Sequence, residues 1–166
     1  MVEYIYRTAL GQDSHRYGTG EEPGGPLLLA GYEVPDGPWI AANSDGDVLY
    51  HAVTNALSGL TGHNILGRAA DELCSEGVRD SEAYLKLALS YLGALELVHV
   101  SCSIEAKRPK LEAHIPAIRA RLAAALGLEL RAVGLTATTG EGLTGMGRGE
   151  GMAALCVLTA REPVLT

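Results

Sequence analysis

Residues 43–56 read NSDGDVLYHAVTNA, and the fold turns on how that stretch is read. Val48, Leu49, Ala52, Val53, Ala56, Leu57 and Leu60 recur three and four residues apart, the pattern of a helix with a broad buried face. Ser44 is expected to cap this helix, with Asp47 three residues on in a near capping box. Asp45 and Asp47 suit a helix start, because the macrodipole favours acidic groups there by roughly 0.3–1 kcal/mol. They equally suit a second task, accepting a hydrogen bond from a histidine that holds a metal. His51 lies one turn in. It is either a hydrogen-bonded core histidine or a ligand.

Outward from this helix, strands and helices alternate. Val2, Tyr4 and Tyr6 alternate with Glu3, Ile5 and Arg7, which predicts an opening strand. Residues 11–26, GQDSHRYGTGEEPGGP, are expected to form a loop. LLLAGYEVP, residues 27–35, reads as a strand broken at Gly31 by a hairpin or bulge. Downstream, a helix over 82–95 starts at a cap on Asp80 or Ser81. Residues 97–106 form a β-branched strand. A further helix begins near Ile115 or Pro116 and ends at Gly127, a C-cap glycine. Residues 131–139 and 152–160 are two more strands. The expected fold is α+β, loosely α/β: a mixed sheet with helices on one face, in a single domain over 1–166.

Composition limits the function. Hydrophobic residues make up 47% of the chain, enough for a packed core. A net charge of −7 with no phenylalanine and one tryptophan disfavours nucleic acid as a partner. There is no apolar run of membrane-spanning length and no signal-peptide pattern, so the expected location is cytoplasmic. Cys74, Cys102 and Cys156 are too scattered for a disulfide framework or a cysteine metal site.

Four stretches can carry chemistry. Asp13 and His15 are two apart, so in extended chain they share a face. With His51 they make an oxygen–nitrogen set suited to zinc with one position open. Residues 140–151 hold six glycines with Glu141, Arg148 and Glu150 among them, and follow Thr138 and Thr139. That is either a hairpin loop or an anion cradle in which Glu141 holds Mg²⁺ against a diphosphate. It is not a Walker loop, since G-K-[ST] is absent. Lys107, Arg108 and Lys110 around Pro109 form either a solvated basic turn or a nucleotide pocket.

Taken in order, GQDSHRYG, NSDGDVLYHAVTNALSG, AKRPKLEAHIPAIR and TATTGEGLTGMGRGEGMA resemble the 2-C-methyl-D-erythritol 2,4-cyclodiphosphate synthase family of the non-mevalonate isoprenoid pathway. They span nearly the whole chain. The resemblance implies a homotrimer with active sites between subunits. It implies a lyase that cyclises 4-diphosphocytidyl-2-C-methyl-D-erythritol 2-phosphate and releases CMP. Asp13, His15 and His51 would hold Zn²⁺, and Glu141 would hold Mg²⁺ or Mn²⁺. Thr138 and Thr139 would donate to the phosphates, with Thr139, Glu141 and position 43 at the chemistry and Ser44 beside the substrate. Ala106, Lys107, Arg108, Pro109, Lys110 and Leu111 would line a cytidine pocket, and Arg148 would bind an anion near the trimer axis.

This chain departs from the pattern in places. The family histidine before S-D-G-D is Asn43 here, and Asn55 stands for an aspartate. Gly140 and Gly142 also differ. The family's aspartate-rich loop is replaced by GHNILGRAADELCSEGVRDS, where Asp71 and Glu72 offer carboxylates and His63 is either exposed or a substitute contact. Two alternatives therefore stand beside the cyclase: an enzyme acting on another cytidine diphosphate compound, and a non-catalytic zinc-bound trimer that binds nucleotide or isoprenoid diphosphate.

Overall fold

A computed structural model describes residues 2–164. Its centre is a six-stranded mixed sheet. In spatial order the strands are β2 (Gly24–Gly25), β5 (Ile40–Ala41), β1 (Tyr4–Tyr17), β8 (Gly151–Pro163), β6 (Glu96–Ala106) and β7 (Val133–Thr138). Among the described residues, only β6 and β7 pair in parallel. A small hairpin, β3 (Leu28–Leu29) and β4 (Tyr32–Glu33), turns through Ala30 and Gly31, both left-handed, as a two-residue hairpin demands. The break expected at Gly31 is this turn.

β1 corrects the loop expected over 11–26. The strand runs on through Tyr17, with Gly11 opposite Cys156, Asp13 opposite Ala154 and His15 opposite Met152. Pairing with β8, far away in sequence, overrides the local glycine signal. Gly11 is required there for another reason: a Cβ would stand 2.2 Å from the backbone nitrogen of Ala56.

Among the described residues there are five α-helices: α1 (Val48–Thr61), α2 (Arg68–Ser75), α3 (Ser81–Ser90), α4 (Ile115–Leu126) and the short α5 (Gly145–Arg148). α1 lies across β1 and β8, and α4 packs beside β7. Val100, Cys102 and Ile104 of β6 meet Met152, Ala154, Cys156 and Leu158 of β8 beneath them, all buried. On the opposite face, Leu10 and Leu155 are 59% and 42% exposed. The helices therefore cover one face, as expected.

The start of α1 differs from its expected form. Asp47, not Ser44, is the cap: its Oδ1 accepts from the backbone N–H groups of Leu49 and Tyr50 at 3.1 and 3.0 Å. Gly46 is left-handed (φ 73°), which turns Ser44 out of the helix. Ser44 Oγ instead accepts from the Gly46 N–H at 3.2 Å. α3 is capped by Asp80 and stops at Ser90 rather than running to Leu95, because Gly93 bends the chain left-handed (φ 59°). Gly127 does end α4, in the αL conformation. α2 had no counterpart in the sequence reading. Its Ala70 and Leu73 pack against the core. Among the described residues, no helix is long and apolar enough to cross a membrane.

Candidate active site

β1 and α1 bring three side chains together. Alternation along β1 turns Asp13 and His15 toward α1, and the first turn of α1 supplies His51. His51 Nδ1 is 3.0 Å from Asp13 Oδ2 and 3.0 Å from His15 Nε2; His15 Nε2 is 3.1 Å from Asp13 Oδ2. His51 is buried, and the other two are partly so. Three potential ligand atoms this close, one carboxylate oxygen and two imidazole nitrogens, fit a single divalent cation of the zinc type. Burial opposes the charge on Asp13. When their rings carry both hydrogens, the hydrogen bonds and positive fields of His15 and His51 outweigh it and hold the carboxyl well below the usual carboxylate range. An ionised Asp13 carboxylate could serve as one of the oxygen donors to such a cation.

The far side of His51 is also occupied. Its Nε2 lies 2.8 Å from Ser81 Oγ and 3.5 Å from Ser44 Oγ. Ser81 donates its hydroxyl to Asp45 Oδ1 and its backbone N–H to Asp45 Oδ2, the latter at 3.0 Å. Asp45 therefore reaches His51 through Ser81, while Asp47 is committed to the helix cap. Ser81 was missed in the sequence. It could only have been found by knowing that α3 begins against α1.

Asp13, His15 and His51 open onto a cavity of about 630 Å³, which Asn43, Ser44, Asp71, Cys74, Ser75 and Arg79 also line. α2, within the segment that replaces the family's aspartate-rich loop, forms one wall. Asp71 faces the cavity and Glu72 is not among its lining residues. Arg79 is the one lysine or arginine among them, and it joins none of the ion pairs among the described residues. His63 is exposed and stacks on Tyr91, ring centroids 4.2 Å apart, away from this cavity. Asn55 donates from Nδ2 to the Gln12 carbonyl at 2.9 Å, which ties α1 to β1.

Residues 6–161 match the model of the YgbB family. The chain belongs to the YgbB family. A 2-C-methyl-D-erythritol 2,4-cyclodiphosphate synthase from Chlamydia trachomatis serovar L2b is 46% identical over 162 residues, 96% of this YgbB-family chain and 90% of that protein. The same holds for the synthase of Chlamydia muridarum. A solved 2C-methyl-D-erythritol-2,4-cyclodiphosphate synthase in its CDP-bound form superposes with a TM-score of 0.79 at 33% identity, over 93% of this chain and 99% of that one. The bifunctional IspDF of Campylobacter jejuni gives 0.85 at 31% identity; its match takes in 96% of this chain and 43% of that longer one.

The other expected site residues of this YgbB-family chain lie elsewhere. Thr138 lines a second cavity of about 530 Å³ with Gln12, Asp13, Ser14, Ser103, Glu105 and Met146, on the face opposite α1, so Asp13 borders both cavities. Thr139 Oγ1 accepts from the Glu141 N–H at 3.4 Å, and Glu141 is exposed with φ 48°. Thr144 donates to Glu105 and caps α5 by accepting from the Gly147 N–H at 3.0 Å, so residues 140–151 fold into a short 3₁₀ turn and α5 rather than a plain hairpin. Arg148 pairs with Glu150 at 2.9 Å. Ala106 and Leu111 are buried; Lys107, Arg108 and Lys110 are exposed around Pro109. The Tyr17 hydroxyl donates to the Arg108 carbonyl at 2.5 Å, and the Arg108 guanidinium lies over the Tyr17 ring. Burial pushes the Tyr17 phenol up to about 12, against the pull of Arg108.

Two groups of residues therefore exist in one chain. Asp13, His15, His51, Asn43 and Ser44 share one cavity. Thr138 and Thr139 sit at the end of β7, three strands from β1, about 14 Å across the sheet, and Glu141 follows in the turn. Arg148 ends α5, which leads into β8 beside the end of β1, where the Tyr17 N–H donates to the Glu150 carbonyl at 3.0 Å.

Proposed function

We propose that this chain is a cyclodiphosphate synthase. It closes 4-diphosphocytidyl-2-C-methyl-D-erythritol 2-phosphate into 2-C-methyl-D-erythritol 2,4-cyclodiphosphate. An oxygen of the 2-phosphate bonds to the β-phosphorus, the bond from that phosphorus to the oxygen bridging to the α-phosphate breaks, and CMP leaves. The observation that carries this reading is the convergence of Asp13, His15 and His51 at a cavity lined by Asn43 and Ser44. The synthase names of relatives 46% identical over nearly the whole chain support it.

Phosphoryl transfer depends on positioning and charge neutralisation. Asp13, His15 and His51 hold a divalent cation, Zn²⁺ in this reading, which when bound offsets charge on phosphoryl oxygens. Glu141 would hold Mg²⁺ or Mn²⁺, which would supply further positive charge against the phosphates. Thr138 and Thr139 donate hydrogen bonds to phosphate oxygens. Asn43 donates one as well, without the charge or the proton a histidine would bring. Ser44 lies beside it, and Arg79 adds the permanent positive charge of this cavity. Ala106, Lys107, Arg108, Pro109, Lys110 and Leu111 form the cytidine pocket, and Arg148 binds an anion near a threefold axis.

Thr138 and Thr139 at the end of β7 stand three strands from β1 in one chain, which supports a homotrimer whose sites draw on neighbouring copies. Exposed Leu10 and Leu155 on the helix-free face supply apolar surface for that assembly. In this reading residues 1–166 act as one catalytic domain in the cytoplasm.

The α2 wall favours one second reading, turnover of a different cytidine diphosphate compound. Purified protein with Zn²⁺, Mg²⁺ and the cytidyl substrate decides between them. CMP together with the cyclic diphosphate supports the synthase. CMP without the cycle supports the second reading. Bound CDP with neither product leaves a non-catalytic nucleotide-binding trimer.

A further inference from the structure

Ser81 and Asp45 determine which nitrogen of His51 carries its hydrogen. Ser81 is fully buried at the first position of α3. Its hydroxyl has one proton, and an ionised carboxylate has none to give. That proton goes to Asp45 Oδ1, the charged and therefore stronger acceptor. The Ser81 oxygen, 2.8 Å from His51 Nε2, is then left to accept. Nε2 must be the donor.

A neutral imidazole with its hydrogen on Nε2 has its lone pair on Nδ1. Nδ1 is the atom 3.0 Å from both Asp13 Oδ2 and His15 Nε2. Lone pairs of His51 and Asp13 thus face one another at contact distance, an arrangement that a cation between them relieves. Ser44 Oγ, at 3.5 Å from Nε2, is too far to set the tautomer by itself.

Asp45 is itself fixed. Its backbone N–H donates to the Arg79 carbonyl at 2.9 Å, and its Oδ1 also accepts from the Asp47 N–H at 3.1 Å. A rigid carboxylate holds the serine proton, and the serine oxygen holds the histidine proton.

We propose that Asp45 and Ser81 are positioning residues that commit His51 to bind a divalent cation through Nδ1. This rests on the reading of Asp13, His15 and His51 as a metal centre. It extends that reading to two residues that touch neither the ion nor the substrate.

The test uses the full chain with two readouts. In chelator-treated protein, nitrogen-15 NMR of the histidine side chains reports the tautomer of His51. Zinc affinity is measured by competition with a chromophoric chelator. Wild-type protein is expected to show the hydrogen on Nε2. Ser81→Ala is expected to populate both tautomers and to weaken zinc binding about 10–100-fold, with Ser81→Thr restoring both. Asp45→Asn, which frees the serine proton to turn toward Nε2, is expected to move the ring hydrogen toward Nδ1 and weaken zinc binding in the same range. Circular dichroism confirms that each variant is folded; should Ser81→Ala not fold, Asp45→Asn carries the test. A wild-type hydrogen on Nδ1, or folded variants with unchanged tautomer and affinity, overturns the proposal. A wild-type hydrogen on Nε2 in a protein that binds no zinc overturns the metal centre instead, and the proposed role of the pair with it.

Discussion

A Cβ built on Gly11 would stand 2.1 Å from the backbone carbonyl oxygen of Ala52. That closeness lets α1 lie on β1 with His51 within hydrogen-bond distance of Asp13. Gly11→Ala should force the helix off the strand. The expected result is a loss of about 1–3 kcal/mol of stability together with weakened zinc binding. Urea denaturation and a zinc titration check the two effects, and unchanged zinc affinity in the folded variant would refute the link.

Asp47 is fully buried and joins three parts of the chain. It caps α1, and its Oδ2 accepts from the Gly31 N–H at 2.7 Å, which anchors the β3–β4 hairpin to the helix start. Asp47→Ala removes the cap and strands a backbone donor. A cost of about 2–4 kcal/mol is expected, from about 1 for the cap and 1–3 for the unpaired group. Thermal or chemical denaturation measures it, and a change under 1 kcal/mol would refute this account.

The lowered value of Asp13 makes a pH prediction. Its carboxyl titrates lower in the folded chain than in the unfolded chain, where it lies near about 4. The ionised form thus favours folding. That contribution is complete above the unfolded value and is lost as the pH falls through the folded one. Chelator-treated protein should lose melting temperature on acidification below about pH 4, and Asp13→Asn should flatten part of that fall. Parallel curves for the two proteins would contradict it.

Asn43 and Arg79 line the same cavity. If positive charge there helps neutralise a phosphate, Asn43→His should raise kcat about tenfold, the equivalent of ~1.4 kcal/mol in the barrier. Arg79→Met should raise KM more than it lowers kcat, and Asn43→His should recover part of that loss. Steady-state kinetics on the four combinations decides it. No gain from the histidine would mean that the pocket has adapted to a different phosphate geometry.

Much of this was legible beforehand. The apolar spacing from Val48 to Leu60 gave α1, and Asp13 with His15 gave two of the three converging groups. Gly127 and the Ile115–Pro116 start marked α4. The errors have physical causes. The extension of β1 through Tyr17 depends on β8, more than 130 positions away at each register pair. The cap moved from Ser44 to Asp47 because Gly46 turns left-handed, which the sequence permitted without requiring. α2 carries too few buried residues to announce itself, and it is held by its neighbours.

The sequence alone determined what is local: which segments are helix or strand, and which residue types stand near enough along the chain to share a face. Periodicity and side-chain chemistry act over a few residues, so they can be read from the order of letters. Tertiary structure alone decided that Ser81 backs His51, that Arg79 and Asp71 line the same cavity as Asp13, His15 and His51, and that Thr138 lies three strands away from β1. Those relationships arise where elements distant in the chain pack, and packing follows from burying the apolar faces of all of them together.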